Sequence, residues 1–343
     1  MNVQEMSGLT KQIALSALSL GGVFRAGEYL SSRSLTVLTY HRIVPRGHDS
    51  GRRPPNTLYC DEFEQQMAFV ASRYKVLSAG ELRAFANGSG AFPRYAIAIT
   101  FDDGYENNFL YALPILQRHG MHAAFFLTTA LIGTRERMLW FDRLDRLLSK
   151  APSAEIESNL RRLEGPAGPA EGGLRSWFKQ LRSDRQSELL DRLEAQFGRD
   201  RPRQEDGAVY AMMSWDQVRQ MASAGMTIGS HTANHQILAA VPPEEVQAEL
   251  ISSRKRIQQE TGRECWCFAY PNGSSRDFRA SDELAVKEAG YLCAFTQIPG
   301  SVHAGTPRYA LPRIPIPDAG DVRIFRSHVS GVRRAFGPLL PGG

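Results

Sequence analysis

Seven short apolar runs, with helical patterns between several of them, constrain this chain more than any other feature. They are Leu35–His41, Ala96–Phe101, His122–Leu127, Met226–His231, Trp266–Tyr270, Tyr291–Thr296 and Leu311–Ile316. Because the runs are continuous rather than alternating, they read as parallel strands buried on both faces. Asp61–Tyr74 places Phe63, Met67 and Val70 on one helical face. Ser214–Ala224 opens on a serine cap, Pro243–Thr261 on a proline, and Ser281–Ala289 stops at Gly290. This alternation means an α/β fold, either an open doubly wound sheet or a barrel. Several strands end in polar residues: Tyr40-His41, Asp102-Asp103, Ser230-His231 and Tyr270-Pro-Asn-Gly. A barrel gathers such ends on one face. No glycine-rich nucleotide motif supports the open sheet. The barrel is therefore expected.

The rhythm breaks between Gly133 and Met213, an Arg-, Leu- and Glu-rich stretch without a good strand. Trp140–Leu148 and Leu174–Phe197 read as amphipathic helices of an insertion after the third strand. It is either a lid or wall of the site, or a packing subdomain or oligomer contact. The expected division is a helical segment over 1–34, a barrel over 35–320 that contains the 133–213 insertion, and a C-terminal tail over 321–343. Within the first segment, 13–24 is preferred as a packed helix over a signal sequence, since no A-x-A site follows it. No run reaches the ~20 apolar residues of a membrane span. The lack of a convincing signal sequence favours the cytoplasm and leaves the periplasm or cell envelope open. The net charge of +5 on 343 residues is mild and spread out, and no nucleic-acid motif accompanies it. Cys265, Cys267 and Cys293 read as small buried hydrophobes. Strand alternation would turn the first two to the same side.

Two clusters carry chemistry. His231 and His235 lie at i and i+4, one helical turn apart, a spacing that suits two ligands of one divalent metal. Asp102-Asp103 ends an apolar strand, where two carboxylates are tolerated if a cation neutralises one and leaves the other free to take a proton. One Asp and two His form a facial set with open positions, as in a catalytic metal site.

Around these clusters stand TFDDG (100–104), SHTANH (230–235), FAYPNG (268–273) and LPRI (311–314), preceded by LTYHRI (38–43). Together they span most of the chain, and the sequence resembles the polysaccharide deacetylases. Its third motif is similar to the F-A-Y-P-x-G form of the exopolysaccharide-deacetylase branch. The resemblance implies a distorted (β/α) barrel of about seven parallel strands. It also implies metal-dependent hydrolysis of N-acetyl groups on an N-acetylhexosamine-containing polysaccharide. Asp103, His231 and His235 would then hold the metal, zinc before cobalt, nickel or manganese. Asp102 would be general base to a metal-activated water, and the N–H of Asn272 an oxyanion donor.

Many family members carry an arginine two residues before the proline of the third motif, where this chain has Ala269. Arg313 is the candidate to supply that charge; the alternative is a surface salt bridge. The family's late catalytic histidine has no convincing counterpart, His328 being weakly placed. His41, ending the first strand, is the candidate acid or partner of the base. Tyr105, Tyr270, Tyr40 and Trp140 are candidates to line a sugar cleft. O-acetyl esterase, cyclic-amide hydrolase and a non-catalytic glycan-binding module remain alternatives.

Overall fold

In the computed structural model, alternate residues along each main strand belong to two separate hydrophobic clusters. Val37, Ala98, Ala124, Phe126, Cys267, Phe295 and Leu311 fill the barrel. Leu38, Ile97, Ile99, Phe101, Phe125 and Phe268 pack outward against Phe63, Met67, Val218 and Leu250 of the surrounding helices. Both faces are buried, which is why the strands read as unbroken apolar runs. The structure describes residues 22–48, 53–89, 92–134, 137–170, 173–198, 209–318 and 320–333.

Seven parallel strands close the barrel: β1 (Thr36–Tyr40), β5 (Ala96–Phe101), β6 (Ala124–Leu127), β7 (Thr227–Ser230), β8 (Cys267–Ala269), β9 (Cys293–Pro299) and β10 (Leu311–Pro315). They follow one another in chain order around the ring, and β1 pairs with both β5 and β10 to complete it. The numbering leaves room for three short strands. β2 (Arg42–Val44) and β3 (Thr57–Tyr59) form a parallel pair beside the C-terminal end of β1, and β4 (Lys75–Val76) adds to the start of β5. Each of the seven expected runs holds the start of one barrel strand, and only β9 runs on past its expected end, to Pro299. The interior is tight enough that a Cβ on Gly229 would lie 2.6 Å from the Phe126 ring, so this inward position on β7 takes glycine.

The expected helices form at Cys60–Arg73, Trp215–Ser223, Pro243–Thr261 and Ala280–Glu288. Ser214 caps its helix through the Gln217 N–H. Between β6 and β7 the helices Trp140–Leu148, Ser153–Glu164, Leu174–Phe178 and Ser183–Phe197 surround their own core of Leu144, Ile156, Leu160, Phe178, Leu189 and Leu193. The single helix expected over 174–197 is broken at 179–182. Gln186 Nε2 donates to the Phe178 carbonyl there, folding the second piece back over the first. A helix Val322–Val329 occupies the expected tail, and Val23–Leu30 precedes the barrel. The start of the helix expected over 13–24 lies outside the described residues, among which no helix is long and apolar enough to cross a membrane. Cys265, Cys267 and Cys293 are buried free thiols. Cys265 precedes β8 and joins the outer cluster while Cys267 joins the inner, so the two do not share a side as alternation suggested.

Candidate active site

The chain reverses at the end of β5, and that turn sends the two aspartates in different directions. Asp102 continues the ladder, its N–H donating to the Tyr40 carbonyl at 3.0 Å. Asp103 then takes a left-handed φ of 77°, which a non-glycine residue adopts only when its surroundings impose it. Its carboxylate lies 3.6 Å from His231 Nε2 and 3.3 Å from His235 Nε2. All three side chains are buried, and their ligand atoms lie within 4.8 Å of one another.

The histidine pair is not on a helix. Thr232 and His235 both have positive φ, 63° and 56°, and the imidazoles meet through an irregular turn, ring centroids 4.9 Å apart. The i, i+4 spacing thus brings them together for a reason other than the helical one expected. Glu249, on the Pro243–Thr261 helix, braces this turn: its carboxylate accepts from the Ala233 and Asn234 N–H groups and from Asn234 Nδ2. His231 Nδ1 lies 2.7 Å from the Ala269 carbonyl. That contact places the proton on Nδ1 and leaves Nε2 free toward Asp103. Burial lowers the His231 pKa to about 4, against the opposing pull of Asp102. Burial by itself would raise the Asp103 carboxyl, but His235, His41 and His231 hold it well below its usual range. Two imidazoles and an anionic carboxylate, converging out of water, fit a divalent cation of the zinc type.

Asp102 faces Arg313 on β10. The guanidinium donates Nη1 to Oδ1 and Nη2 to Oδ2, each at 2.7 Å, and is itself held by the Thr296 carbonyl and the Thr100 hydroxyl. Arg313 is fully buried, so this is no surface salt bridge. It sets a buried positive charge against the Asp102 carboxylate. Burial would raise the Asp102 pKa; Arg313, with His231, reverses this and lowers it. Gln297, two positions beyond the inward Phe295, donates a further bond to Asp102 Oδ2 at 3.1 Å. Nothing marked Gln297 beforehand except its inward place in the strand alternation, one residue past the expected strand end.

His41 is half-buried at the end of β1. Burial lowers its pKa, while Asp103 and Asp102 pull the other way, which puts the imidazole within electrostatic reach of both carboxylates. His328 is elsewhere: it sits on the Val322–Val329 helix with Nδ1 on the Ile324 carbonyl. Asn272 has a φ of 57°; its N–H has no acceptor among the described residues, and its buried Nδ2 has no partner. The next residue must be glycine, because a Cβ on Gly273 would lie 2.8 Å from the Gln297 nitrogen.

The four aromatic candidates do not present rings to a cleft. Tyr105 is fully enclosed, with Arg42 stacked 4.2 Å over its ring and its hydroxyl donating to Asp142 at 2.8 Å. Tyr270 stacks on Phe278 at 4.2 Å and donates to the Tyr309 carbonyl. Tyr40 packs among Phe63 and Phe101 with its hydroxyl on Gln66. Trp140 stacks on Phe178 inside the insertion. Each ring has an apolar slot, and each tyrosine hydroxyl an internal partner, so packing rather than sugar contact accounts for them.

Residues 89–294 match the family model described as polysaccharide deacetylase. A Bacillus subtilis protein, YxkH, whose name assigns it provisionally to the polysaccharide deacetylases, is 20% identical over 302 residues, covering 87% of this chain and 77% of its own. Among solved structures, the Streptococcus pyogenes deacetylase PplD in complex with acetate superposes with a TM-score of 0.56 at 18% identity, covering 86% of this chain and 98% of its own. IcaB from Ammonifex degensii gives 0.56 at 16% identity, covering 87% and 97%. At such identities the structural matches speak for the fold, a seven-stranded (β/α) barrel. The family match spans well over half of the sequence, and the chain belongs to the polysaccharide deacetylase family.

Proposed function

We propose that this protein is a divalent-metal-dependent N-deacetylase acting on an N-acetylhexosamine-containing polysaccharide, with zinc as the cation. The observation that carries the reading is the divergence of the two adjacent aspartates. Asp103 faces His231 and His235, whereas Asp102 faces Arg313. A glycan-binding module has no use for the second carboxylate. Asp103, His231 and His235 would hold the cation, which supplies Lewis acidity toward water and the acetyl carbonyl. Asp102 takes a proton as the water oxygen adds to the carbonyl carbon. Arg313 keeps Asp102 anionic and fixes its plane, and Gln297 limits its rotation. Charge gathering on the carbonyl oxygen is met by the Asn272 N–H. As the C–N bond breaks, a proton must reach the leaving nitrogen, and the His41 imidazole relays it. The products are acetate and a free amine on the sugar.

The experiment is metal content together with acetate release from an acetylated glucosamine oligomer. His231→Ala should lose both. Asp102→Asn should keep the metal while kcat falls by about 10²–10⁴, as for loss of a general base. Loss of metal in Asp102→Asn, or full acetate release by metal-free His231→Ala, would overturn the assignment.

A further inference from the structure

His231 and His235 are oriented by different means. The second nitrogen of His231 has the Ala269 carbonyl, as is usual for a ligating imidazole. The second nitrogen of His235, Nδ1, is buried and has no partner among the described residues. Among the described residues, no hydrogen bond on this side of the ring fixes its rotation behind the Nε2 contact to Asp103. What touches it is Phe141, on the first helix of the insertion, edge-on with ring centroids 5.3 Å apart and planes at 67°. Phe141 packs against both the cluster between the strands and their surrounding helices and the core of the insertion. A second insertion contact falls on the next residue. The N–H of Ser183, at the start of the Ser183–Phe197 helix, donates to Gln236 Oε1 at 2.7 Å, and Gln236 is itself buried.

The insertion is fastened where these contacts begin. Asp142, next to Phe141, is 1% exposed and pairs with Arg42, 2% exposed. Tyr105 bonds to both of them. Arg42 follows His41, and Tyr105 follows the Asp102-Asp103-Gly104 turn. One buried cluster therefore locks the insertion to the strand ends that carry the chemistry. The return of the insertion is stitched to the same turn, Met213 N–H donating to the Gly104 carbonyl and Glu106 N–H to the Ala211 carbonyl.

We propose that Phe141 is a positioning residue for His235, so that the insertion sets the affinity of the site for its cation. This rests on the metal site proposed above. A ring that packs edge-on against a ligand imidazole does by shape what a carbonyl does by hydrogen bonding for His231: it excludes the rotamers that turn Nε2 away from Asp103. The insertion is thus a wall of the site rather than an appended packing unit.

The test is zinc affinity, measured by competition with a chromophoric chelator, alongside the absorption bands of the cobalt-substituted protein and the thermal midpoint of the metal-free protein. Phe141→Ala should weaken zinc binding by about 10–100-fold, the range seen when an orienting contact behind a metal ligand is lost. Its cobalt bands should change, and its metal-free midpoint should fall by no more than the loss of one partly buried ring, with the protein still folded at the temperature of the zinc measurement. Phe141→Tyr should restore affinity, and Phe141→Leu, which keeps bulk but not the flat ring, should bind several-fold more weakly than wild type. Wild-type affinity in both the Ala and Leu variants, with His231→Ala unable to bind, overturns the inference alone. If Phe141→Ala does not fold, wild-type affinity in Phe141→Leu suffices to overturn it. A wild-type protein that binds no zinc, or a His231→Ala protein that binds it as tightly, overturns the metal reading together with the inference.

Discussion

Replacing Arg313 by methionine removes a charge while keeping most of the volume, and the structure allows the cost to be worked out. Arg313 and Asp102 are 0% and 1% exposed, so neither can recruit water when the other is lost. Four donor contacts disappear, two of them to the carboxylate. Breaking such a pair leaves one buried charge uncompensated and costs about 3–5 kcal/mol. With an unfolding entropy of about 2.1 cal/mol/K per residue over 343 residues, this lowers the melting midpoint by about 4–7 °C. Asp102→Asn should also destabilise, since it strands the guanidinium. The double variant should be less damaged than the sum of the two, by up to about 3 kcal/mol, because the second change removes a partner that was already unsatisfied. Urea melts of the four metal-free proteins give the coupling directly. Additivity within about 0.5 kcal/mol would refute the claim that the pair acts as a unit. Arg313→Lys provides a finer check: it retains charge but not the fork, and should fall between wild type and methionine.

Two further outcomes follow from the site and from its support. His41→Ala should keep the metal and lose most turnover of an N-acetyl substrate, while an aryl acetate, whose leaving group departs without a proton, is hydrolysed with much less damage; equal losses on both would assign His41 to orienting the base instead. His122, whose ring nitrogens contact the Leu77 carbonyl and the Thr227 hydroxyl, is lowered by burial from 6.5 to about 4. The folded value lies below the unfolded one, so stability from neutral His122 is complete above pH 6.5 and is lost as pH falls toward 4, by up to about 1.4 kcal/mol per unit. His122→Gln should flatten that slope in urea melts between pH 7 and 5, and an unchanged slope would show that another group carries it.

What could be read from the sequence was the part governed by local pattern. Buried parallel strands are apolar along their whole length, so each barrel strand announced itself. The Asp102-Asp103 pair stood out because adjacent carboxylates at an apolar strand end demand separate partners. Arg313 was a candidate only through the family resemblance, as a positive charge in place of the arginine that Ala269 replaces. What could not be read depends on which side chains meet across the barrel. Gln297 reaches Asp102 from a strand 195 residues away in sequence, and Glu249 reaches the histidine turn from a helix that follows it. Phe141 looked like any apolar residue of an amphipathic helix. The aromatic candidates misled because tyrosine and tryptophan suit both a sugar face and a core with one polar partner; only the enclosed hydroxyls of Tyr40, Tyr105 and Tyr270 separate the cases.

The closure of the ring by β1 bears on how the protein comes to be folded at all. β1 is the first barrel strand in the chain, and it lies between β5 and the last, β10, with Leu38 opposite Ile314. An emerging chain can lay β5 to β9 side by side, but β1 has no second neighbour until β10 arrives. The ladder with the greatest sequence separation must therefore form late, and such non-local pairing is slow. Arg313 rides on that same last strand. Before it docks, Asp102 has no counter-charge and resists burial. Sealing the barrel and charging its catalytic interior are thus one cooperative event, and an incompletely closed chain cannot retain a finished site.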